Sequence, residues 1–319
     1  MTPARRHWLR RGLTAIFLAA VGALLVWKGR QLNWHEVAAA LDDFGTAALA
    51  AAAALAVVAH LIYSSFDLLG RRYAGHGLGA ARTMATGFAS YAFNLNLGAL
   101  VGSVGFRFQL YSRAGLKPAQ IGRIVAFSLA TNWLGYCLLA GVLLLLRLTP
   151  IPPRFPIGIG AAQLLGAVMM LTVGAFLHFC RWPPRRTPKV RGVALPLPPW
   201  RLAAAQLGLS TLSWMAAAGI IAVLLHAHVP FHIVLGVTML SGLAGLITHV
   251  PAGLGVIEAV FIATLGGSVP ESRLVAALLV YRAFYYLVPL ALAAGVFALL
   301  QSRAALSARQ AGRQAASAI

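Results

Sequence analysis

The sequence predicts an all-α, polytopic transmembrane helix bundle of about 8 spans, with one or two broken or re-entrant helical hairpins and a possible inverted repeat. Three observations carry this. Hydrophobic residues make up 60% of the 319-residue chain and charged residues only 10%, against roughly 25% charged in a soluble domain. Several apolar runs approach the ~20 residues that a hydrocarbon core demands of a helix. The 26 Lys+Arg, against 6 Asp+Glu for a net charge of +20, sit between those runs. That is the pattern of basic loops on a membrane protein rather than of a nucleic-acid-binding face. Cys137 and Cys180 both fall inside apolar runs, so no disulfide framework organises the chain.

In chain order, the first run, 12–27, follows Arg5, Arg6, Arg10 and Arg11 and reads as an uncleaved signal anchor. Residues 28–45 place Trp34, Val37, Leu41 and Phe44 at near-helical spacing with Glu36, Asp42 and Asp43 between them. This predicts a short amphipathic helix on the outer surface. Full-length runs cover 46–66, 121–146, 157–180, 202–226, 231–249 and 274–300. Two runs are irregular. The stretch 84–104 contains Asn94, Asn96, Gly98, Gly102 and Ser103, and the stretch from Gly253 to Gly267 is too short for an untilted span. Irregular backbone at membrane depth survives only where protein or a wet cavity satisfies it. The run 231–268 is therefore either a long hairpin meeting at His249–Gly255 or two simple spans. Residues 181–201 hold six prolines and six basic residues, a stiff connector with affinity for anionic headgroups. It joins pseudo-halves 1–180 and 202–300 of one integral-membrane domain, and 301–319 forms a cytoplasmic tail that frays or extends the last helix. If 84–104 dips in and returns, 20 basic residues lie on the side of the termini and 5 on the other. The positive-inside rule then makes both termini cytoplasmic.

Three stretches carry candidate chemistry. In YAFNLNLGALVGSVGFRFQLYSRAGL (91–116), Gly102 and Gly105 permit bending and Asn94 and Asn96 can bond freed backbone groups. Arg107 and Arg113 follow at the expected cytoplasmic rim, where exposed amides beside arginines make a phosphate site. The plainer reading is a shaped bend with headgroup-anchoring arginines. In THVPAGLGVIEAVFIA (248–263), Pro251, Gly253 and Gly255 break the helix before Glu258. A carboxylate at this depth is costly; the alternatives are a functional group and an ion pair with Arg282. His249 reads as a hydrogen-bonding core residue. In YRAFYYLVP (281–289), Arg282, Tyr285 and Tyr286 share a face and Pro289 should kink the helix. Asp67 lies beside Arg71 and Arg72, where a headgroup-level salt bridge accounts for it. His226, His228 and His232 lack closed metal-ligand spacing, so no metal or cofactor is expected. No Walker loop, HExxH, GxSxG or Rossmann fingerprint is present, and a non-enzyme is expected.

These stretches, with FDLLGRRYAGH (66–76) and TNWLGY (131–136), resemble the bacterial lysylphosphatidylglycerol synthase transmembrane (flippase-like) family in its stand-alone form. The resemblance covers nearly the whole chain in order. It implies a multi-pass inner-membrane protein whose relatives translocate aminoacylated phosphatidylglycerol or act in polyprenyl, glycolipid or hopanoid pathways. The family's Gly-rich/arginine segment matches Gly102, Gly105, Arg107, Tyr111 and Gly115; Ser103 and Ala252 stand where relatives often carry glycine. Together these readings point to a lipid translocase. Asn94, Arg107, Tyr111, Arg113, Glu258, Arg282, Tyr285 and Tyr286 contact an anionic headgroup, and Gly102, Gly105, Pro251, Gly253 and Gly255 act as hinges. The alternative is an accessory or scaffold protein for a phospholipid-synthesising enzyme.

Overall fold

The computed structural model describes residues 30, 34–149, 158–183, 189–190, 193–194, 196–225, 229–248 and 251–317. The expected anchor 12–27 with its arginines, the outer-loop His226 and His228, and His249 lie outside them. Among the described residues the chain is all-helical apart from a two-residue antiparallel ladder, Lys189–Val190 with Val193–Ala194, in the connector. Six helices among the described residues are long and apolar enough to cross a membrane. They coincide with the six full-length runs of the sequence.

Helix α1 (Trp34–Asp43) leads into α2 (Thr46–Ala74). The amphipathic segment is not left loose on the surface. It packs on a later helix, α10 (Glu271–Arg282), and Phe44 behind it is buried at 4% exposure in the main core. At 29 residues α2 is about 43 Å long, and Gly75 ends it in the left-handed region at φ 67°. Its buried Ala52, Ala56 and Ala59 let it lie close to α7 (Trp200–Leu224), which contributes Ala216 and Ala217. This is the most extensive helix contact in the fold and joins the two halves of the chain. Small residues at such interfaces let backbones approach where lipid offers no hydrophobic drive. Helices α5 (Pro118–Leu145) and α6 (Ile159–Arg181) pack on one another, while α6 turns Leu164, Val168 and Leu171 outward.

The irregular stretch 84–104 is a helical hairpin. Helix α3 (Ala80–Leu97) stops at Gly98, whose φ of 83° and ψ of 168° suit only glycine. A π-helical segment (Ala99–Gly105) and α4 (Phe106–Arg113) return along α3. The return is so close that a Cβ on Gly102 would overlap the backbone of Asn94 and Phe93. The bend thus falls four residues before Gly102, which serves close approach, and Gly105 has ordinary helical angles (φ −58°, ψ −47°).

The second irregular stretch is also a hairpin. Helix α8 (Phe231–Thr248) and α9 (Val256–Leu265) lie side by side around a short 3₁₀ turn, Pro251–Gly253. At about 15 Å, α9 reaches only half the hydrocarbon thickness. Gly253 and Gly255 take positive φ (57° and 74°), and so does Ala252 at 56°. A left-handed non-glycine residue costs about 1–2 kcal/mol. Helix α10 then passes through a π-helical turn, Ala283–Leu287, into α11 (Val288–Ser317). Pro289 has no N–H to donate in α register, and the Val288 N–H reaches back to the Ala283 carbonyl instead. The expected kink is therefore a π turn, and α11 carries the helix through the tail as far as Ser317.

Candidate functional site

Two arginine clusters and a layer of tyrosines lie inside the bundle. The first cluster ties α2 to the returning arm of the 80–113 hairpin. Arg107 Nε lies 3.1 Å from both Asp67 carboxylate oxygens, and Nη2 donates to Oδ1 at 2.9 Å. Nη1 donates to the Ser103 carbonyl and hydroxyl, and Nη2 also reaches Ser128 Oγ at 3.0 Å. Tyr111 donates its phenol to Asp67 Oδ2 at 2.8 Å. The five N–H groups of a guanidinium are thus consumed, and both side chains are 0% exposed.

Two expectations are corrected here. Arg107 does not wait at a headgroup rim, because it is fully buried and has no donor left. Asp67 does not pair at headgroup level with Arg71 or Arg72, because Arg107 takes its carboxylate. Tyr111 is fully buried in the same cluster, and Arg113 lies half-buried at the end of α4.

The second cluster closes the break between α8 and α9. Arg282, at the end of α10, donates from Nε to Glu258 Oε1 at 2.5 Å and from Nη2 to Oε2 at 2.8 Å. The same guanidinium donates to the carbonyls of Ala252 (3.2 Å) and Gly253 (3.0 Å). These are backbone acceptors that the broken helix leaves without partners, which is how irregular backbone is satisfied in a bilayer. The pair is not sealed: the Arg282 side chain is 8% exposed and that of Glu258 24%. A guanidinium and a carboxylate inside hydrocarbon are tolerated when paired and bonded in this way.

Between the clusters lies the tyrosine layer. Tyr285 and Tyr286, on the π turn, are buried at 3% and 8% exposure. Tyr285 and Tyr91 share a hydroxyl–hydroxyl bond of 2.6 Å, and Asn96 donates to the Tyr286 carbonyl. The first hairpin is thereby fastened to the π turn. Arg282 Cζ sits 5.7 Å from the Tyr286 ring centroid, within cation–π range. Asn94 is half-buried, and its buried Oδ1 has no partner.

A cavity of about 170 Å³ adjoins this layer. Elements from both halves line it: Tyr91 on α3, Asn132 on α5, Ser213 and Trp214 on α7, Thr238 and Ser241 on α8, and Tyr281, Tyr285 and Tyr286. Sequence reasoning missed Asn132, Ser213 and the pairing role of Asp67. Asn132 lay within a stretch read only for its resemblance. Asp67 carried a signal of its own, as the one acidic residue in the 29 residues of α2.

The fold and its paired interior charges define a polytopic integral membrane protein with interrupted helices at membrane depth. The family described as the lysylphosphatidylglycerol synthase TM region matches residues 13–293, and the chain belongs to that family. It is 40% identical over 307 residues to the inner membrane protein YbhN of Escherichia coli, covering 95% of this chain and 96% of that one. It is also 30% identical over 304 residues to the uncharacterized protein slr0712 of Synechocystis, covering 90% and 91%. A shorter segment of 88 residues is 34% identical to the phosphatidylglycerol lysyltransferase of Staphylococcus haemolyticus, covering 26% of this chain and 10% of the relative.

Proposed function

We propose that this protein is a flippase-like lipid translocase of the bacterial inner membrane. It would move an anionic or aminoacylated phospholipid, or a polyprenyl-type lipid, with both termini in the cytoplasm. The observation that carries the reading is a cavity inside the bundle, largely apolar but with Asn132, Ser213, Thr238, Ser241 and tyrosines in its lining, bordered by two interrupted hairpins and one ring away from the incompletely buried Glu258–Arg282 pair. Broken helices around a central cavity are the usual architecture of alternating access. Family membership supports a lipid-related role, as does the segment shared with a phosphatidylglycerol lysyltransferase.

In this reading Arg113 meets the headgroup at the rim, and Glu258, Arg282, Tyr285 and Tyr286 border its passage. Arg107 and Tyr111 serve as the fixed frame instead. In this reading the protein acts without chemistry of its own, because a hydrolase or transferase needs a convergent set of acid, base and nucleophile. The interior carboxylates Asp67 and Glu258 are each held by an arginine. The test follows a fluorescent anionic phospholipid across vesicles containing the full chain. Wild type should move it faster than empty vesicles, and Arg282→Ala should slow it. Equal rates for wild type and Arg282→Ala would sink the assignment.

One observation favours the accessory reading, in which the protein supports a phospholipid-synthesising enzyme: the fourfold bonding of Arg282 leaves it little to offer a passing anion. Unchanged activity of Glu258→Gln would support that reading.

A further inference from the structure

We propose that the central cavity is a binding site for an uncharged, hydroxyl-rich headgroup moiety, such as the terminal glycerol or sugar of a membrane lipid, and that it does not hold the lipid's phosphate. This deepens the translocation reading by naming what the cavity recognises. The argument begins with charge. Among the described residues, no charged side chain lines the cavity. The two nearby guanidinium groups described above are committed, Arg107 to Asp67 and two serines, Arg282 to Glu258 and two backbone carbonyls. A phosphate drawn into this space would be desolvated with no cation to meet it, which costs far more than a hydrogen bond returns.

The lining offers neutral donors and acceptors instead. Among the described residues, the Asn132 amide and the Ser213 hydroxyl have no protein partner, and both face the cavity. Thr238 and Ser241 donate to carbonyls of their own helix, Val234 and Val237, which leaves their oxygens able to accept. An amide with two donors and an acceptor, set among hydroxyls, matches vicinal hydroxyl groups.

The aromatic residues point the same way. An aromatic cage for a quaternary ammonium needs open ring faces. Here Tyr91 is stacked on Tyr63 with centroids 3.4 Å apart, and Tyr281 on Tyr285 at 5.2 Å. One face of each of these rings is covered in this way, which leaves fewer open faces than such a cage needs. Size fits as well. At about 170 Å³ the cavity falls below the ~300 Å³ at which drug-sized pockets begin, so it takes a headgroup fragment while the acyl chains stay outside.

The experiment measures thermal midpoints of the full-length protein in detergent with dihexanoyl lipids that differ only in headgroup. Phosphatidylglycerol and a glucosyl diacylglycerol should raise the midpoint. Phosphatidic acid and phosphatidylcholine, which lack headgroup hydroxyls, should not. Asn132→Leu should weaken the phosphatidylglycerol response about tenfold, the loss expected for a buried hydrogen-bonding contact. The wild-type ranking decides the matter even if that variant fails to fold. Phosphatidic acid or phosphatidylcholine binding as well as phosphatidylglycerol would overturn the proposal. Free glycerol acting as strongly as the lipid would overturn the lipid as the source of the hydroxyls. A ranking that holds while no lipid crosses vesicles would remove translocation and leave this site standing. Lipids crossing with no headgroup preference would do the reverse.

Discussion

Replacing Asp67 by Asn should be among the most damaging conservative changes in this protein. The substitution keeps the shape of the side chain and removes only its charge. Arg107 would then lie fully buried, as it does now, with its formal counter-charge gone. Three contacts to the carboxylate, at 2.9, 3.1 and 3.1 Å, would each weaken. One face of the new amide would also present N–H groups toward either the guanidinium or the Tyr111 hydroxyl, which now donates at 2.8 Å. Breaking a buried pair from one side costs about 3–5 kcal/mol. For a chain of this length that corresponds to a fall in thermal midpoint of about 5–8 °C. Arg107→Gln should cost a similar amount, since it strands the carboxylate. The double variant removes both charges, so it should cost clearly less than the sum, with a coupling of about 2 kcal/mol or more. Thermal unfolding of the purified protein in detergent, read through all four members of the cycle, tests this. Single variants within about 1 kcal/mol of wild type, or costs that simply add, would refute a saturated interior pair.

Other outcomes follow from the same geometry. Ala252→Gly relieves a left-handed alanine at φ 56° and should raise stability by about 0.5–1 kcal/mol after the entropy that glycine adds to the unfolded chain; an unfolding titration measures it. Gly102→Ala places a methyl against the backbone of Asn94 and should cost about 3 kcal/mol or force the 80–113 hairpin apart, visible as lost expression or faster proteolysis there. Arg282→Lys keeps the charge but loses the fork that holds Glu258 and two carbonyls together, for about 2–3 kcal/mol in the same thermal assay. His76, just beyond the end of α2, is held below its usual 6.5, first by burial and then by Arg71, with Asp67 opposing. The folded protein therefore disfavours the protonated ring. That contribution is whole above pH 6.5 and declines as pH falls toward the lowered folded value, and a midpoint-versus-pH curve for His76→Gln should be flatter over that window.

Much of this architecture is legible in the sequence because a bilayer simplifies the problem. An apolar run of sufficient length has one outcome, so 46–66, 121–146 and 274–300 declare themselves. The break at 249–255 is announced by proline and two glycines, and the Glu258–Arg282 pair by the cost of leaving either alone in hydrocarbon. Pairing across distance is not legible in that way. Asp67 has Arg71 four residues on, the ordinary helical partner, whereas its actual partner is 40 residues away and reaches it only because the chain doubles back at Gly98. Gly102 and Gly105 look alike in sequence, yet only Gly102 meets a facing backbone. The cavity residues Asn132 and Ser213 sit in uninterrupted helices whose periodicity carries no mark of an interior space. Their role emerges only when seven elements converge.

The guanidinium that closes the 251–255 turn belongs to α10, not to either arm it closes. A latch mounted on a neighbour makes two parts answer to one fastening. The broken turn cannot straighten while that latch is shut, and α10 cannot slide without pulling at the turn. Whatever draws the guanidinium away frees both at once.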